Sequence, residues 1–454
     1  MCSGTFFMQN LSDLTEALLS AAKNAGADAA DAIATDGRSL SIDVRNGALE
    51  HAERAEGIEV GLRVLVGKRQ ACVAASDISP HMMTEVAERA VAMAKIAPED
   101  PYIGLADVSD LASAWDADAL DLSDPGDDPA PADLQAAAAE AEAVALSVPG
   151  ISQSESAAAS FSRTRIHLAA SNGFSGGYAR SSHGLYCVAI TGEGTGMERD
   201  YAGEGRIYRT DLPTPEEIGK LAAERTLARA GSRKPPTGAY PVLYDERISS
   251  GLIGHLLQAA NGSAIARGSS WLRDKLGEQV LPKGLDIIED PHRPRVSGSK
   301  PFDAEGLATR KRSIVEDGVL KGWTLDLATA RKLGMKSTAS AARGPSGPPS
   351  PSLTNVALTQ GRQSKDDLLA DMGTGLLVTS LIGSSINPTT GDYSRGASGF
   401  WVENGEIAYP VNECTIAGNL HDMLASIVPA NDARAYLSRV VPSLLVEGLT
   451  IAGN

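Results

Sequence analysis

A serine and a histidine in the middle of the chain have the types and spacing that nucleophilic catalysis uses. Residues 173–177, GFSGG, match the G-x-S-x-G pattern, with Ser175 at its centre and His183 eight residues further on. A nucleophile elbow must join a strand to a helix, but the residues after Ser175 alternate in polarity as a strand does. The context favours a hairpin turn, and a hydrolase that uses Ser175 and His183 is kept as a lower-ranked alternative.

Other groups of potential ligands have weaker patterns. His255 lies among apolar residues at helical spacing, so taken by itself it is expected to be a packed or capping group. Residues 289–292, EDPH, contain three potential metal ligands, but their proline predicts a solvated turn. Residues 192–196, GEGTG, lack the third glycine of a dinucleotide-binding fingerprint at the required spacing. With no HExxH motif and no Walker loop in the sequence, the residues alone name no reaction.

The composition excludes several classes of function. Acidic residues outnumber basic ones by 57 to 41 in 454 residues, and the net charge of −16 disfavours direct binding to nucleic acid or to an anionic membrane. No apolar run reaches the roughly 18 residues of a membrane helix, and the first ten residues do not resemble a signal peptide. We therefore expect a cytoplasmic protein. Four cysteines without a CxxC pair suit a reducing compartment; they are Cys2, Cys72, Cys187 and Cys414.

The polarity pattern predicts a multi-domain α+β protein, in which N-terminal helix-plus-antiparallel-sheet units precede a β-rich C-terminal domain. Asp36-Gly37 and Asn46-Gly47 are dipeptides suited to tight hairpin turns. Residues 343–352, RGPSGPPSPS, predict a mobile loop, or flap. The predicted divisions are an N-terminal α/β domain at 1–97, an acidic, proline-bearing linker at 98–131, a central α/β domain at 132–234 and the C-terminal domain at 235–454.

Six blocks of sequence, in this order, resemble the TldD/PmbA family, once called modulators of DNA gyrase, and in particular its PmbA branch, also called TldE. One block lies near the N-terminus, so the resemblance covers almost the whole chain. The blocks are RNGALEHAERAEGIEVGLRVLVGKRQACVAAS, GSSWLRDKLGEQVLPKGLDIIEDP, PFDAEGLATRKRSIVEDGVLKGW, ARKLGMKSTASA, GDYSRGASGFWVENGEIAYPVNECTIAGNL and VPSLLVEGLTIAG.

The resemblance implies a role in proteolysis. The family pairs a TldD-like subunit with a PmbA-like subunit in a metalloprotease that degrades unfolded or short peptides inside an enclosed cavity. The TldD branch carries a His-Glu-x-x-x-His motif, in which two imidazoles hold a metal and the carboxylate activates its bound water. On this chain the motif falls on Ser250, Gly251 and His255, so that only the last histidine is retained. The cysteine expected near the C-terminus of the TldD branch is missing between residues 431 and 441.

These replacements predict that the chain has no catalytic metal of its own, because serine is a poor zinc ligand and glycine has no side chain. The leading hypothesis is a PmbA-like subunit without catalytic residues or cofactor, whose TldD-like partner holds zinc. Ser250, Gly251 and His255 are then candidates for the wall of a peptide-substrate cavity, and the chain alone is able to form a homodimer. The alternative from another class is a non-enzymatic regulatory protein that acts on DNA gyrase through protein contact.

Overall fold

The computed structural model describes residues 10–453, and its N-terminal half is one antiparallel six-stranded sheet with four helices. The strand order is β3-β2-β1-β4-β5-β6. The elements are α1 (Leu11–Asn24), β1 (Ala29–Arg45), β2 (Ala48–Val66), β3 (Arg69–Ala75), α2 (Pro80–Ile96), α3 (Pro131–Ser147), β4 (Ile151–Ala170), β5 (Ser175–Thr191), β6 (Glu198–Arg206) and α4 (Pro215–Ala228). Short 3-10 turns occupy Val108–Asp110, Gly194–Gly196 and Arg209–Asp211.

Local signals in the sequence fix where these helices begin. Helices α2, α3 and α4 each have a proline in the first turn, where its missing N–H costs no hydrogen bond. Ser79 caps α2 by accepting a hydrogen bond from the Met82 amide, and Thr214 caps α4 in a reciprocal arrangement with Glu217. Because these signals are local, the sequence places the helix starts to within a few residues.

The turn between β1 and β2 is formed by Asn46 and Gly47, whose φ values of 55° and 72° are those of a two-residue hairpin turn. The buried carboxylate of Glu142, on α3, accepts hydrogen bonds from both of their amides at 2.9 and 2.7 Å. The other predicted turn, Asp36-Gly37, is wrong. β1 runs straight through it, because β2 and β4 flank the strand on both sides and Asp36 pairs with Arg165 of β4.

The two faces of this sheet have different neighbours. Even-numbered residues of β1, such as Ala32 and Ile42, pack under the four helices. Odd-numbered residues point the opposite way, and Ile33 packs with Phe174 and Phe302. This second face is covered by residues from further along the chain.

Residues 98–130 are irregular apart from one 3-10 turn, as the composition predicts, but they are packed in place. Several of their side chains are buried, among them Ile103 and Leu122. The guanidinium of Arg331 donates hydrogen bonds to the carbonyls of Tyr102 and Leu105 at 3.1 and 2.7 Å. The sheet continues across this stretch, since β1 pairs with β4 over 14 residue pairs.

The C-terminal half contains a mixed six-stranded sheet, a smaller five-stranded sheet and short helices. The large sheet has the order β16-β15-β14-β7-β19-β17, and β16 also pairs with β19, which closes the sheet on itself. The small sheet has the order β10-β9-β8-β13-β18. The elements are β7 (Gly238–Tyr244), α5 (Glu246–Ala259), α6 (Gly262–Arg267), β8 (Ile287–Glu289), β9 (Arg312–Glu316), β10 (Val319–Leu320), α7 (Leu327–Leu333), β11 (Ala341–Ala342), β12 (Ser350–Pro351), β13 (Val356–Leu358), α8 (Lys365–Met372), β14 (Gly375–Ile386), β15 (Asp392–Glu403), β16 (Glu406–Asn419), α9 (Leu420–Ala425), β17 (Val428–Pro429), β18 (Arg439–Val440) and β19 (Leu444–Ala452).

The architecture confirms the predicted multi-domain α+β fold. Within residues 10–453, the structure has no helix that combines the length and apolarity needed to span a membrane. Cys72, Cys187 and Cys414 are free thiols, whereas Cys2 and most of the N-terminal segment tested for a signal peptide lie outside the described residues.

The predicted flap, residues 343–352, is docked on the first sheet. The side chain of Arg343 is fully buried and pairs with Asp31 of β1. Pro345 lies so close to β2 that a Cβ atom on Gly61 would collide with its main chain. Ser350–Pro351 pairs with Ala341–Ala342 in a two-stranded sheet. Composition alone suggested mobility, but the buried arginine and this close approach fix the segment.

We predict that Gly61→Val lowers the free energy of unfolding by about 1–3 kcal/mol, because the added methyl groups force Pro345 away from β2. Gly57→Val is a matched control on the same strand, since a Cβ atom there meets nothing within 4 Å. The control is expected to stay within about 0.5 kcal/mol of the parent. Urea unfolding followed by circular dichroism measures both, and equal effects of the two substitutions would contradict the docking.

Candidate functional site

Helix α5 carries the residues on which the metal motif of the TldD branch falls. It begins directly after the buried strand β7, and Asp245 caps it by accepting a hydrogen bond from the Arg247 amide at 3.1 Å. One face of the helix packs into the main core of the C-terminal half through Leu252, Ile253, Leu256 and Leu257. This apolar face fixes which residues point outward.

The outward face of α5 is made of small and polar residues. Within a regular helix, residues 250 and 255 are about 140° apart, and residues 251, 254 and 258 fall between them. α5 is α-helical from Glu246 to Ala259, without the widening that two imidazoles at this spacing would require. Cβ atoms added at Gly251 or Gly254 would meet nothing within 4 Å. The face is therefore open space next to the single histidine.

His255 lies half-buried at one side of this face. Its ring contacts that of Tyr393 edge to face, with centroids 5.8 Å apart. The Tyr393 hydroxyl in turn accepts a hydrogen bond at 3.4 Å from Tyr244, which is fully buried. Burial, and to a lesser extent the nearby Arg395 guanidinium, lowers the pKa of His255 below its usual value. The imidazole is therefore neutral near pH 7, and it offers a hydrogen bond rather than a charge.

A cavity of about 420 Å³ opens beside His255. It is bounded by α5 and α6 on one side and by the end of β14, including Ser384 and Ile386, on the other. Trp271 lines it and contacts His421 edge to face at 4.6 Å. The volume falls within the range of small-molecule sites, and the mixed lining suits a short piece of peptide.

A metal does not fit this site. His255 is the only one of the three motif positions with a side chain that binds zinc well, since Ser250 and Gly251 occupy the others. Across residues 10–453, no three His, Cys, Asp or Glu side chains come together in a group able to hold a metal ion. The residues at this site therefore do not support a catalytic step on a metal bound by this chain.

The proposed pairing of Ser175 with His183 is not found. Both residues lie on β5, eight residues apart, which corresponds to about 27 Å along a strand. His183 is buried and faces Asp124, with an Nε2–Oδ2 distance of 3.4 Å. Residues 171–174 form the predicted hairpin turn between β4 and β5. The G-x-S-x-G pattern therefore does not mark a nucleophile elbow in this chain.

Ser175 has a different neighbour. Its hydroxyl lies 3.4 Å from Nε2 of His167, and Nδ1 of that ring lies 2.9 Å from the Thr15 hydroxyl. Thr15 donates its own proton to the Ser12 carbonyl, so it accepts from His167. The group has no carboxylate, and Ser175 does not line the cavity beside His255. The side chains of Ser175, His167 and Thr15 therefore form a hydrogen-bonded cluster beside the turn rather than a catalytic group.

The other candidate metal-binding and nucleotide-binding segments, residues 289–292 and 192–196, do not form sites. The predicted solvated turn at residues 289–292 is wrong for Glu289, which is 3% exposed in β8 and pairs with Arg312 at 2.7 Å. His292 instead contacts the Thr309 hydroxyl at 2.9 Å. Residues 194–196 of GEGTG form a 3-10 turn that leads into β6 rather than into a helix. None of these groups forms a binding site with its neighbours.

The described cysteines are poor nucleophiles. Burial raises the pKa of the Cys187 thiol to about 12 and that of Cys414 to about 11. Burial also raises the pKa of Cys72. These thiols stay protonated near neutral pH, which excludes thiolate chemistry at these three positions.

Reasoning from single motifs missed the residues that surround His255. Tyr393 and Arg395 come from β15, and Trp271 comes from the loop after α6, far from α5 in the sequence. All three lie in blocks that carry the family resemblance, GDYSRGASGFWVENGEIAYPVNECTIAGNL and GSSWLRDKLGEQVLPKGLDIIEDP. That resemblance was the only signal able to place them at one site.

Comparison with known proteins gives matches along the whole chain. Models of the PmbA/TldA metallopeptidase family match as domain 1 over residues 30–94, as the central domain over 124–230 and as the C-terminal domain over 237–453. The metalloprotease PmbA of Escherichia coli O157:H7 is 37% identical over 96% of this chain and 94% of its own length. A metalloprotease PmbA homolog of Haemophilus influenzae is 36% identical over 95% and 94%.

Solved structures agree with these matches. A crystal structure from Bacteroides thetaiotaomicron, described as a modulator of DNA gyrase, has a TM-score of 0.90 and 28% identity, and the match covers 97% of this chain and 98% of that one. TldE from Thermococcus kodakarensis has the same fold, with a TM-score of 0.83 at 21% identity over 97% and 100% of the two chains. On sequence and on fold, the chain belongs to the PmbA/TldD metallopeptidase family.

Proposed function

We propose that this chain is the PmbA-like subunit of a cytoplasmic two-subunit metallopeptidase, in which a TldD-like partner holds the catalytic zinc. The assembled enzyme degrades unfolded or short peptides. The chain supplies a wall of the cavity in which they are held, and it has no catalytic metal of its own.

The observation that carries this proposal is the outward face of α5. The motif position there retains one metal-binding side chain, His255. Ser250 stands in place of the other imidazole, and open space lies at Gly251, where the carboxylate would stand. Because α5 is a regular helix, the side chains at positions 250 and 255 also point in diverging directions. One neutral imidazole does not hold zinc for catalysis, since protein sites for this metal use three or four ligands.

The cavity beside α5 supports a role in holding peptide. Its lining combines the apolar Trp271 and Ile386 with the polar His255 and Asn261. Next to it, Arg395 donates a hydrogen bond to the Gly383 carbonyl at 2.7 Å, which ties β15 to the end of β14. A wall of this kind contacts the main chain and side chains of many sequences, which suits low selectivity among peptides.

The rival from another class is a regulatory protein that acts on DNA gyrase by contact alone. A relative from Bacteroides thetaiotaomicron is described as a modulator of DNA gyrase, and that description applies to the relative alone. The net charge of −16 is spread over 454 residues, so charge alone does not favour binding to gyrase. Saturable binding to gyrase without a TldD-like subunit would favour this rival.

We predict that the purified chain retains no stoichiometric zinc and does not cleave peptides, and that adding a TldD-like subunit from the same cell produces cleavage. Metal analysis by mass spectrometry and hydrolysis of a fluorogenic peptide measure the two quantities. The partner alone, and each subunit treated with chelator before mixing, are the controls. Peptidase activity and bound zinc in the isolated chain would overturn the proposal.

We predict that His255→Ala leaves the zinc content of the assembled complex unchanged, because the metal belongs to the partner. Losing one ring and one hydrogen bond from the cavity wall should raise KM by about three- to tenfold while kcat stays within about twofold. Met335→Ala, at an exposed side chain outside this cavity, is the control. Loss of zinc in the His255 variant would show that His255 is a ligand.

We predict that Ser175→Ala leaves kcat and KM of the assembled complex unchanged, because Ser175 lies at the start of β5, outside the cavity beside His255. The measurement is steady-state hydrolysis with the wild-type complex in parallel. A loss of activity of about 100-fold or more would instead assign catalysis to Ser175 and revive the hydrolase alternative.

A further inference from the structure

A second cavity, of about 220 Å³, lies between the first sheet and the C-terminal half. Its floor is the face of β1, β4 and β5 that points away from the four helices, and its roof is formed by residues 300–304 and 341–345. It is separate from the cavity at α5, and the two share no lining residue. We refer to it as the inter-sheet cavity.

Arg343 belongs to the roof of this cavity, but its guanidinium is buried away from the open space. Its side chain is 0% exposed, its Nε donates to the Gly344 carbonyl at 3.3 Å and its Nη1 pairs with Asp31. Nη2 has no hydrogen-bond partner among the described residues. Asp31 also holds Arg63, with Nε–Oδ2 and Nη2–Oδ2 distances of 2.6 and 2.5 Å. One carboxylate is thus shared by two guanidiniums. Burial lowers the pKa of Arg63, and the nearby carboxylates of Glu305 and Asp326 oppose that effect.

Two other cations line the cavity itself. Lys300 has no carboxylate within 4 Å in the described range. Burial and then the nearby Arg180 guanidinium lower the pKa of its ammonium, against the more distant carboxylates of Asp303 and Glu289. Arg180 donates to the carbonyls of Ser297 and Ser299 at 2.8 and 3.2 Å, so its charge is not neutralised by a carboxylate. Both side chains come from elements that face each other across the cavity, β5 below and residues 300–304 above.

The only carboxylate of the lining, Asp303, is already occupied. It accepts hydrogen bonds from the main-chain amides of Glu305, Leu307 and Ala341 at 2.9, 2.9 and 3.1 Å. Its carboxylate oxygens therefore accept hydrogen bonds from main-chain amides rather than from the cations of the lining. The two cations, Lys300 and Arg180, against one carboxylate give the lining a net positive charge. Buried charge without a counter-ion is costly, so a bound anion would stabilise this arrangement.

Most of the remaining lining is apolar, which restricts the kinds of anion that can bind. Ile33, Ile166 and Leu168 contribute aliphatic surface, and Tyr178 and Phe302 pack edge to face with centroids 5.6 Å apart. A volume of about 220 Å³ is smaller than the roughly 300–1,000 Å³ of sites for drug-sized ligands. A nucleotide would not fit, and a fully hydrated inorganic ion would leave the apolar wall unused.

We propose that the inter-sheet cavity binds a carboxylate carried on a short apolar group, with Lys300 and Arg180 facing the carboxylate. A peptide C-terminus with an apolar last residue and a free short-chain acid share this chemistry. The site does not depend on the proposed peptidase role, since it lies apart from α5 and is tested by binding alone.

The test is isothermal titration calorimetry on the full chain with three probes: N-acetyl-leucine, its C-terminal amide and isovalerate. Both carboxylates should bind and the amide should not. A tighter fit of N-acetyl-leucine identifies a peptide C-terminus as the source, and a tighter fit of isovalerate identifies a free acid. Binding of the amide as tight as that of the acid, or no binding of either acid, would overturn the proposal.

Substitutions at Lys300 separate a direct role from a loss of structure. Lys300→Gln should weaken the binding of N-acetyl-leucine by about tenfold or more, and Lys300→Arg should keep it within about threefold because the charge remains. Lys283→Gln, at an exposed lysine outside the cavity, is the matched control and should change nothing. Melting curves establish that each variant is folded. Equal affinities in folded Lys300→Gln and in the parent would also overturn the proposal.

Discussion

The Asp31 carboxylate, held between the guanidiniums of Arg63 and Arg343, joins the first sheet to the C-terminal half. Arg63 comes from β2, next to β1, and Arg343 comes from more than 250 residues further along the chain. All three groups are buried, so removing Asp31 leaves two guanidiniums in the interior without their shared partner, a change that typically costs about 3–5 kcal/mol. Burial lowers the pKa of Arg343 to about 10, which keeps it charged at neutral pH. The docking of the predicted flap depends on this interaction.

A second constraint acts on helix α5. Its apolar face must fill the core of the C-terminal half, which fixes the helix rotation and therefore which residues point outward. Outward residues are free of packing demands, so this face can lose a metal motif without harm to the fold. On the proposed function, that separation between packing and chemistry lets the chain keep the architecture of its metallopeptidase family while its donor set differs.

The sequence predicted those parts of the fold that local physics decides. Proline-led helix starts and the Asn46-Gly47 turn need only their neighbours in the chain. Asp36-Gly37 was predicted wrongly because pairing with strands on both sides overrides a local turn preference. The docked segment 343–352 and the surroundings of His255 depend on contacts between distant residues, which composition and spacing do not encode. For the site, the family resemblance placed Ser250, Gly251 and His255, whereas the contacts of His255 with Tyr393 and Arg395 are known only from the structure.

The central position of β1 has a consequence for synthesis of the protein. One neighbour, β2, follows at once, but the other, β4, is complete only at Ala170, about 125 residues after β1 ends. At about 5–20 residues per second, the ribosome leaves one edge of β1 unpaired for on the order of ten seconds. An open edge of this length is a template for pairing with other chains. The nascent N-terminal unit is therefore a natural client for chaperones until the second half of its sheet emerges.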